Sequence, residues 1–507
     1  VMNHEYTTLT SGSPGIYTWL FGTRNTPLTT LDQANKAINA HGVSVIHIKR
    51  TAGAWAVVTD SGYNRRLTAA SPMLMTGPAA GDALLQTSAD PSGTLVLGTL
   101  NNCGNGWTPW GTYLTCEENF NGNFGTQSGT DSRSEAQKRY GITALASGYG
   151  WEGFHDRFDY VKEPNESNRF GWIVEIDPFD SLSLPKKRTA LGRFKHENAA
   201  YALTADKHVV IYSGDDEVNN YIYKFVSDGV YIEGNDRANA NLLDAGKLYV
   251  AQFKDGAASG DFMGSGEWIL LDKSANPTLA ADARFPNQAA VLIHARLAAD
   301  AVGATRMDRP EWVTVHPQTG EVYATLTNNS GRSITDDANP RAANVYGQIV
   351  RWREAGGNAA ATTFEWDLFV LAGNPTVYTD RSNLKSGSAN VTADNTFNSP
   401  DGLGFDSAGR LWIQTDGAYS NTGDYANQGN NQMLCAEPVS KQIRRFLVGP
   451  KECEVTGLTF TPDNKTMFVN IQHPGERGNS NWPGGAGTLP RSATLIITKN
   501  DGGVIGS

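Results

Sequence analysis

Three carboxylates occupy one place in a repeated pattern. Glu197, Glu311 and Asp401 each open a short alternating segment, which is followed by a turn and then a hydrophobic strand. The copies are Glu197-Asn-Ala-Ala-Tyr201 with 206–215, Glu311-Trp-Val-Thr-Val315 with 320–329, and Asp401-Gly-Leu-Gly-Phe405 with 409–416. A fourth, Thr456-Gly-Leu-Thr-Phe460 with 464–473, has threonine at that place. If the copies pack around an axis, their acids converge, and each ion taken out of water costs several kcal/mol unless it is paired. A multivalent cation relieves that cost, and oxygen donors suit a hard ion such as calcium. One such acid would read as a solvated loop residue; three in register favour a metal. Lys195 and Arg309 lie two residues before Glu197 and Glu311. The planar fork of arginine fits phosphate oxygens, although either cation could simply neutralise its neighbouring acid. Cys116 ends a hydrophobic segment beside Glu117 and Glu118. A thiolate prefers iron, copper or zinc, so beside hard carboxylates it implies a mixed-metal site, while a buried inert thiol is the plainer reading. His196 adjoins Glu197 and His473 closes the last repeat. The G-x-S-x-G, H-E-x-x-H and P-loop patterns are absent, so covalent serine chemistry has no local signature.

The elements that must hold these groups read as β-hairpins, with turns containing Gly or Asp. The spacing of the copies fits one or two propeller blades of roughly 40–50 residues each. Helical periodicity is sparse: 30–40, with Leu31, Ala34, Ala37 and Ile38 on one face, then 287–302, and more weakly 132–140. The expected fold is all-β, a six-bladed β-propeller in a single domain over 1–507, with helical insertions near 30–41 and 285–302. The 507 residues carry 42 Lys and Arg against 52 Asp and Glu, a net charge of −10 with a pI near 5.4. That balance argues against nucleic acid or an anionic membrane as the main partner, but not against a locally cationic site. Charged residues are 19%, while Gly (54) and Pro (22) are plentiful, which suits many turns and short strands. No run of about 18 apolar residues offers a membrane span. The chain opens on the strand-like Val1-Met2-Asn3-His4-Glu5, so an upstream part is expected to have been removed. Cys103, Cys116, Cys435 and Cys453 make no disulfide framework. A Cys435–Cys453 pair is conceivable if the ends of the segment between them meet, and Cys103–Cys116 is a second option across a Gly-rich turn.

Several long motifs, in order, resemble the PhoX-type alkaline phosphatases. They are Thr108-Pro-Trp-Gly with Leu114-Thr-Cys-Glu-Glu118, Phe170-Gly-Trp with Glu175-Ile-Asp-Pro-Phe179, Leu191-Gly-Arg-Phe-Lys-His-Glu197, Gly214-Asp-Asp-Glu217 and Asp308-Arg-Pro-Glu311. To these are added Gly409-Arg-Leu-Trp-Ile-Gln-Thr-Asp416, and Cys453-Glu-Val-Thr-Gly457 with Gln472-His-Pro-Gly-Glu476. The resemblance covers most of the chain and implies a propeller holding an oxo-bridged cluster of Fe3+ and Ca2+. It also implies a small phosphate monoester as substrate and export to the periplasm or medium. Carried over by motif, Cys116 would ligate iron; Glu197, Glu311 and Asp401 would bind iron or calcium; Arg309 would grip phosphate, with Lys195 beside it. Glu117, Glu118, Asp215 and Glu5 are further ligand candidates. Asn198, Trp312 and Gly402 depart from the family pattern. A monomer is expected. The competing readings are a calcium-dependent propeller lactonase or esterase, and a non-catalytic binding propeller.

Overall fold

The computed structural model describes residues 1–7, 20–21, 28–258 and 260–507. Strands dominate among them, and helices are few and short. Six antiparallel meanders follow one another along the chain. Their first strands are β1 (Met2–His4), β2 (Asn102–Trp107), β3 (Ala200–Leu203), β4 (Pro310–Val315), β5 (Pro400–Phe405) and β6 (Glu454–Phe460). β3 to β5 each lead four strands and β1 and β6 lead three, while the four strands led by β2 are extended to a six-stranded sheet by Pro72–Thr76, parallel to Lys186–Arg188, and by Leu95–Leu97. Met263–Leu270 pairs with the outer strands of the third and fourth meanders and merges them into one nine-stranded sheet. Consecutive first strands are neighbours from β1 through to β6. The last meander returns to the first where Gln472 Nε2 donates to Glu5 Oε2 at 2.6 Å, and its Phe468 meets edge-on Trp55 of the separate hairpin formed by Ile48–Thr51 and Ala54–Val57.

The strands behind the first ones are rich in β-branched and aromatic residues and are buried on both faces. Leu411–Thr415 and Val322–Leu326 are buried throughout. This is what strands sandwiched between neighbouring sheets require. The core accordingly lies between meanders: Trp312, Tyr323 and Phe369 of the fourth pack on Leu403, Leu411 and Ile413 of the fifth. Trp412 and Met433 of the fifth pack on Val455, Met467 and Val469 of the sixth. All four hairpins expected from the repeat are present, with registers Tyr201↔Ile211, Thr314↔Tyr323, Gly404↔Trp412 and Thr459↔Phe468.

The helix expected over 30–40 spans Leu31–Ala40, capped by Thr30 in a reciprocal box with Gln33. The helix expected over 287–302 is two, Gln288–Ile293 and Ala295–Ala301, broken at His294 (φ −111°, ψ 40°). The third candidate shortens to Glu135–Arg139, capped by Ser134. All four cysteines are free thiols, so neither conceivable disulfide forms.

Candidate metal centre

Four of the first strands are introduced by one backbone device. Asn101, Arg309, Ser399 and Glu452 take φ of 48°, 55°, 50° and 55°, a left-handed conformation that costs a non-glycine residue about 1 kcal/mol or more. Two residues after each comes a side chain of a shared cluster: Cys103, Glu311, Asp401 and Glu454. In β2, β4 and β5 the register also slips across these residues, between Asn102 and Asn105, Pro310 and Val313, and Pro400 and Leu403. A bulge re-aims side chains locally, so a buried strand can turn an acid out of its apolar packing. The first strands also approach closely. A Cβ on Gly104 would overlap the Glu197 carbonyl, and one on Gly214 would overlap the carbonyls of Pro310 and Glu311.

The cluster comprises four groups, in each of which the donor atoms lie within 4.8 Å of one another. They are Glu5, Cys103 and Glu118; Glu118, Glu197 and Asp216; Glu197, Glu311 and Asp401; and Asp416, Glu454 and His473. Glu118 and Glu197 are shared, so the first three groups are continuous. Cys103 Sγ donates to Glu197 Oε1 at 3.1 Å, and Trp312 Nε1 donates to the same oxygen at 3.0 Å. Asn198 clamps β3 to β4, accepting from Val313 N at 2.9 Å and donating to Val313 O at 2.8 Å. Two residues that depart from the family pattern are thus built into the support of Glu197. The third, Gly402, leaves room that a Cβ would take from Gln414.

Burial first, and neighbouring acids second, push Glu118, Glu197, Glu311 and Asp401 well above the usual carboxylate range. The same causes raise Glu5 to about 8 and Asp416 to about 7. Asp216 is the exception: against the cost of burial, the Arg309 guanidinium holds it low. Burial also pulls His473 down, but its contact with Glu454 and the surrounding acids lift it to about 9. Arg309 donates from Nε and Nη2 to Asp216, each at 2.8 Å, and Nη2 lies 2.9 Å from Glu311. Its side chain keeps 27% exposure.

Of the expected site residues, Glu5, Glu118, Glu197, Glu311, Asp401 and Arg309 come together here. Cys116, Glu117 and Asp215 do not. The Cys116 thiol lies in an apolar cluster with Trp110, Ile173 and Phe194, and Cys103 supplies the thiol of the site. Glu117 is a fully buried partner of Lys187 at 2.7 Å. Asp215 is gripped by Arg296, and its neighbour Asp216 takes the cluster position. Lys195 Nζ points to Glu217 at 3.6 Å, at the edge of the cluster. Sequence reasoning passed over Cys103, Asp216, Asp416, Glu454 and, as a donor, His473. The usable signal was the polar ends of the second hairpin strands, where Glu118, Asp216, Asp416 and His473 all sit.

The donor set fits multivalent cations. Asp401 Oδ1 and His473 Nδ1 are buried without a hydrogen-bond partner, which buried polar atoms seldom are, and Glu311 Oε1 has only its ion contact with Arg309 Nη2. Eight carboxylates, a thiol and an imidazole converge, and few cationic side chains balance them. Fold and site together define a mostly-β scaffold around a cation-seeking carboxylate cluster with an arginine fork at its rim. Over residues 1–475 the chain matches the family model described as alkaline phosphatase PhoX. Among solved structures, Pseudomonas fluorescens PhoX in complex with vanadate, a transition state analogue, is 53% identical over 99% of this chain and 86% of its own, with a TM-score of 0.94. A gluconolactonase from Xanthomonas campestris is 12% identical over 85% of this chain and 95% of its own, with a TM-score of 0.28. No curated protein matches. The chain belongs to the PhoX alkaline phosphatase family and is an enzyme that hydrolyses phosphate monoesters. That membership sets aside the lactonase and non-catalytic readings.

Proposed function

We propose that hydrolysis takes place over this cluster, loaded with iron and calcium as an oxo-bridged centre, and that Arg309 grips the phosphoryl group during its transfer to water. The observation that carries this reading is the placement of Arg309, half committed to Asp216 and Glu311 and half open, on the rim of the acids. The likeness to a phosphatase whose structure holds vanadate supports it. Cys103, the one soft donor, suits iron with Glu5, Glu118 and Glu197 around it. The oxygens of Asp216, Glu311, Asp401, Asp416 and Glu454 suit calcium. When bound, such ions neutralise phosphoryl charge and activate the attacking oxygen.

The chain's own residues do the rest. Arg309 presents a planar fork to oxygens whose charge is spread in the transition state. Lys195, held by Glu217, adds a second cation beside Asp216. Burial keeps bulk water away and strengthens each of these contacts. The six meanders and the return from Gln472 to Glu5 support a single-domain, six-bladed propeller with the cluster at one end of its axis. No helix among the described residues is long and apolar enough to cross a membrane, and family membership favours a monomer working in the periplasm or outside the cell. Elemental analysis of purified protein alongside phosphatase assays tests the reading. Iron and calcium should be found together, and their chelation should abolish activity. Full activity in protein free of both metals would overturn it.

A further inference from the structure

Arg296 lies fully buried on the helix Ala295–Ala301, behind the turn that carries Asp216. Its guanidinium spans the two acids on either side of that residue. Nε donates to Asp215 Oδ2 at 2.9 Å, Nη2 donates to Asp215 Oδ1, and Nη1 donates to Glu217 Oε2 at 2.5 Å. Asp216 faces the other way, towards Glu118, Glu197 and Arg309. The turn is also stitched to its neighbour: Lys195 N donates to Asp215 Oδ1 at 3.2 Å, and Asp216 N donates to Lys195 O at 3.0 Å. The helix itself is fixed by Arg139, whose Nε is 2.7 Å from Asp300 and whose Nη2 is 2.7 Å from Asn220.

We propose that Arg296 is a positioning residue for phosphoryl transfer. By holding Asp215 and Glu217 it fixes the direction of Asp216, and the two-point contact from Asp216 sets the plane of the Arg309 fork. This rests on the role given to Arg309 above. Two forks in series connect a helix of the core to the rim of the site. The guanidinium grips Asp215 with two nitrogens and reaches Glu217 with the third, a fixed planar arrangement that a compact ammonium with rotatable donors does not reproduce. A purely structural ion pair would need charge balance alone. A positioning role needs the fork, and that difference is measurable.

Arg296→Lys keeps the charge and removes the fork. On the metal-loaded enzyme we expect kcat/KM to fall by about 10- to 100-fold and inhibition by inorganic phosphate to weaken by a similar factor. Combined with Arg309→Lys, the two losses should fail to multiply, because the second fork has already lost its alignment. Losses that multiply would overturn the proposal. So would Arg296→Lys protein that melts earlier yet keeps normal kcat/KM and phosphate inhibition. Should that variant not fold, Glu217→Gln loosens one of the two grips, and the same paired losses are expected; unchanged kinetics would again overturn it. An impaired Arg309→Lys beside an unimpaired Arg296→Lys removes only the Arg296 link, whereas an unimpaired Arg309→Lys removes the Arg309 assignment and the link with it.

Discussion

The Arg309 guanidinium is committed on one side and partly exposed on the other. Its Nε and Nη2 tie it to Asp216, which is how a cation neutralises a buried acid, yet its exposure leaves part of the fork for a ligand. If the open half grips phosphate, Arg309→Ala should cost roughly two to three decades in kcat/KM. Arg309→Lys should recover only part of that, because the planar fork is lost. Full activity of the alanine variant at normal metal content would reduce Arg309 to an ion-pair partner. The two thiols separate in the same way. If the cluster holds the proposed iron and calcium, Cys103→Ser replaces a soft donor beside Glu197 with a hard hydroxyl, so iron should fall relative to calcium and phosphatase activity should fall with it. Cys116→Ser should cost about 1 kcal/mol of stability and leave both metals in place, because Cys116 touches only core. Metal analysis and a melting curve on both variants decide between the two positions.

At the scale of the element, the site depends on first strands that approach more closely than side chains would allow. Gly214 ends the strand His208–Gly214 with its α-carbon against the backbone of Pro310 and Glu311. Gly214→Ala must push β4 away, at about 1–3 kcal/mol for the overpacking, and displaces Glu311 and Arg309 as it does so. Stability and metal content should therefore fall together; metal content at the wild-type level would show that the cluster tolerates the shift. The same closeness explains what could be read in the sequence. The hairpin repeat was legible because apolar alternation sets it, and it located Glu197, Glu311 and Asp401. Single positions were harder, since neighbouring strand residues face opposite ways and an error of one exchanges a cluster residue for a structural one. Glu117 and Asp215 face Lys187 and Arg296, while Glu118 and Asp216 face the cluster. In the last repeat, Thr456 stands where the pattern puts an acid, but the carboxylate comes two residues earlier, at Glu454. The register slip in β6 falls after it, between Thr456 and Leu458. Bulges and left-handed residues leave no apolar periodicity to detect, so neither Glu454 nor the pairing of Cys103 with Glu197 had a local signal.

For the whole molecule, the cluster is a charge problem that folding creates and cations solve, and this couples stability to both pH and metal. Without metal, Glu5 and Asp416 titrate near 8 and 7, far above the range of an unfolded chain. The folded state therefore holds protons that the unfolded state has released, and its stability declines as pH rises. The stabilising contribution of these two groups is complete below the ordinary carboxylate range and is lost progressively up to about pH 8. Glu118, Glu197, Glu311 and Asp401 shift in the same direction and add to the decline. Bound cations take the place of those protons, so affinity should strengthen as pH rises and the loaded protein should escape the decline. Chelated and metal-loaded protein should thus melt at similar temperatures near about pH 5 and diverge steadily towards about pH 9, with added iron and calcium closing the gap. A gap independent of pH would mean that these acids are not where the metals bind. By the same linkage, the proposed centre should hold its cations most firmly at the pH where its acids would repel one another most strongly.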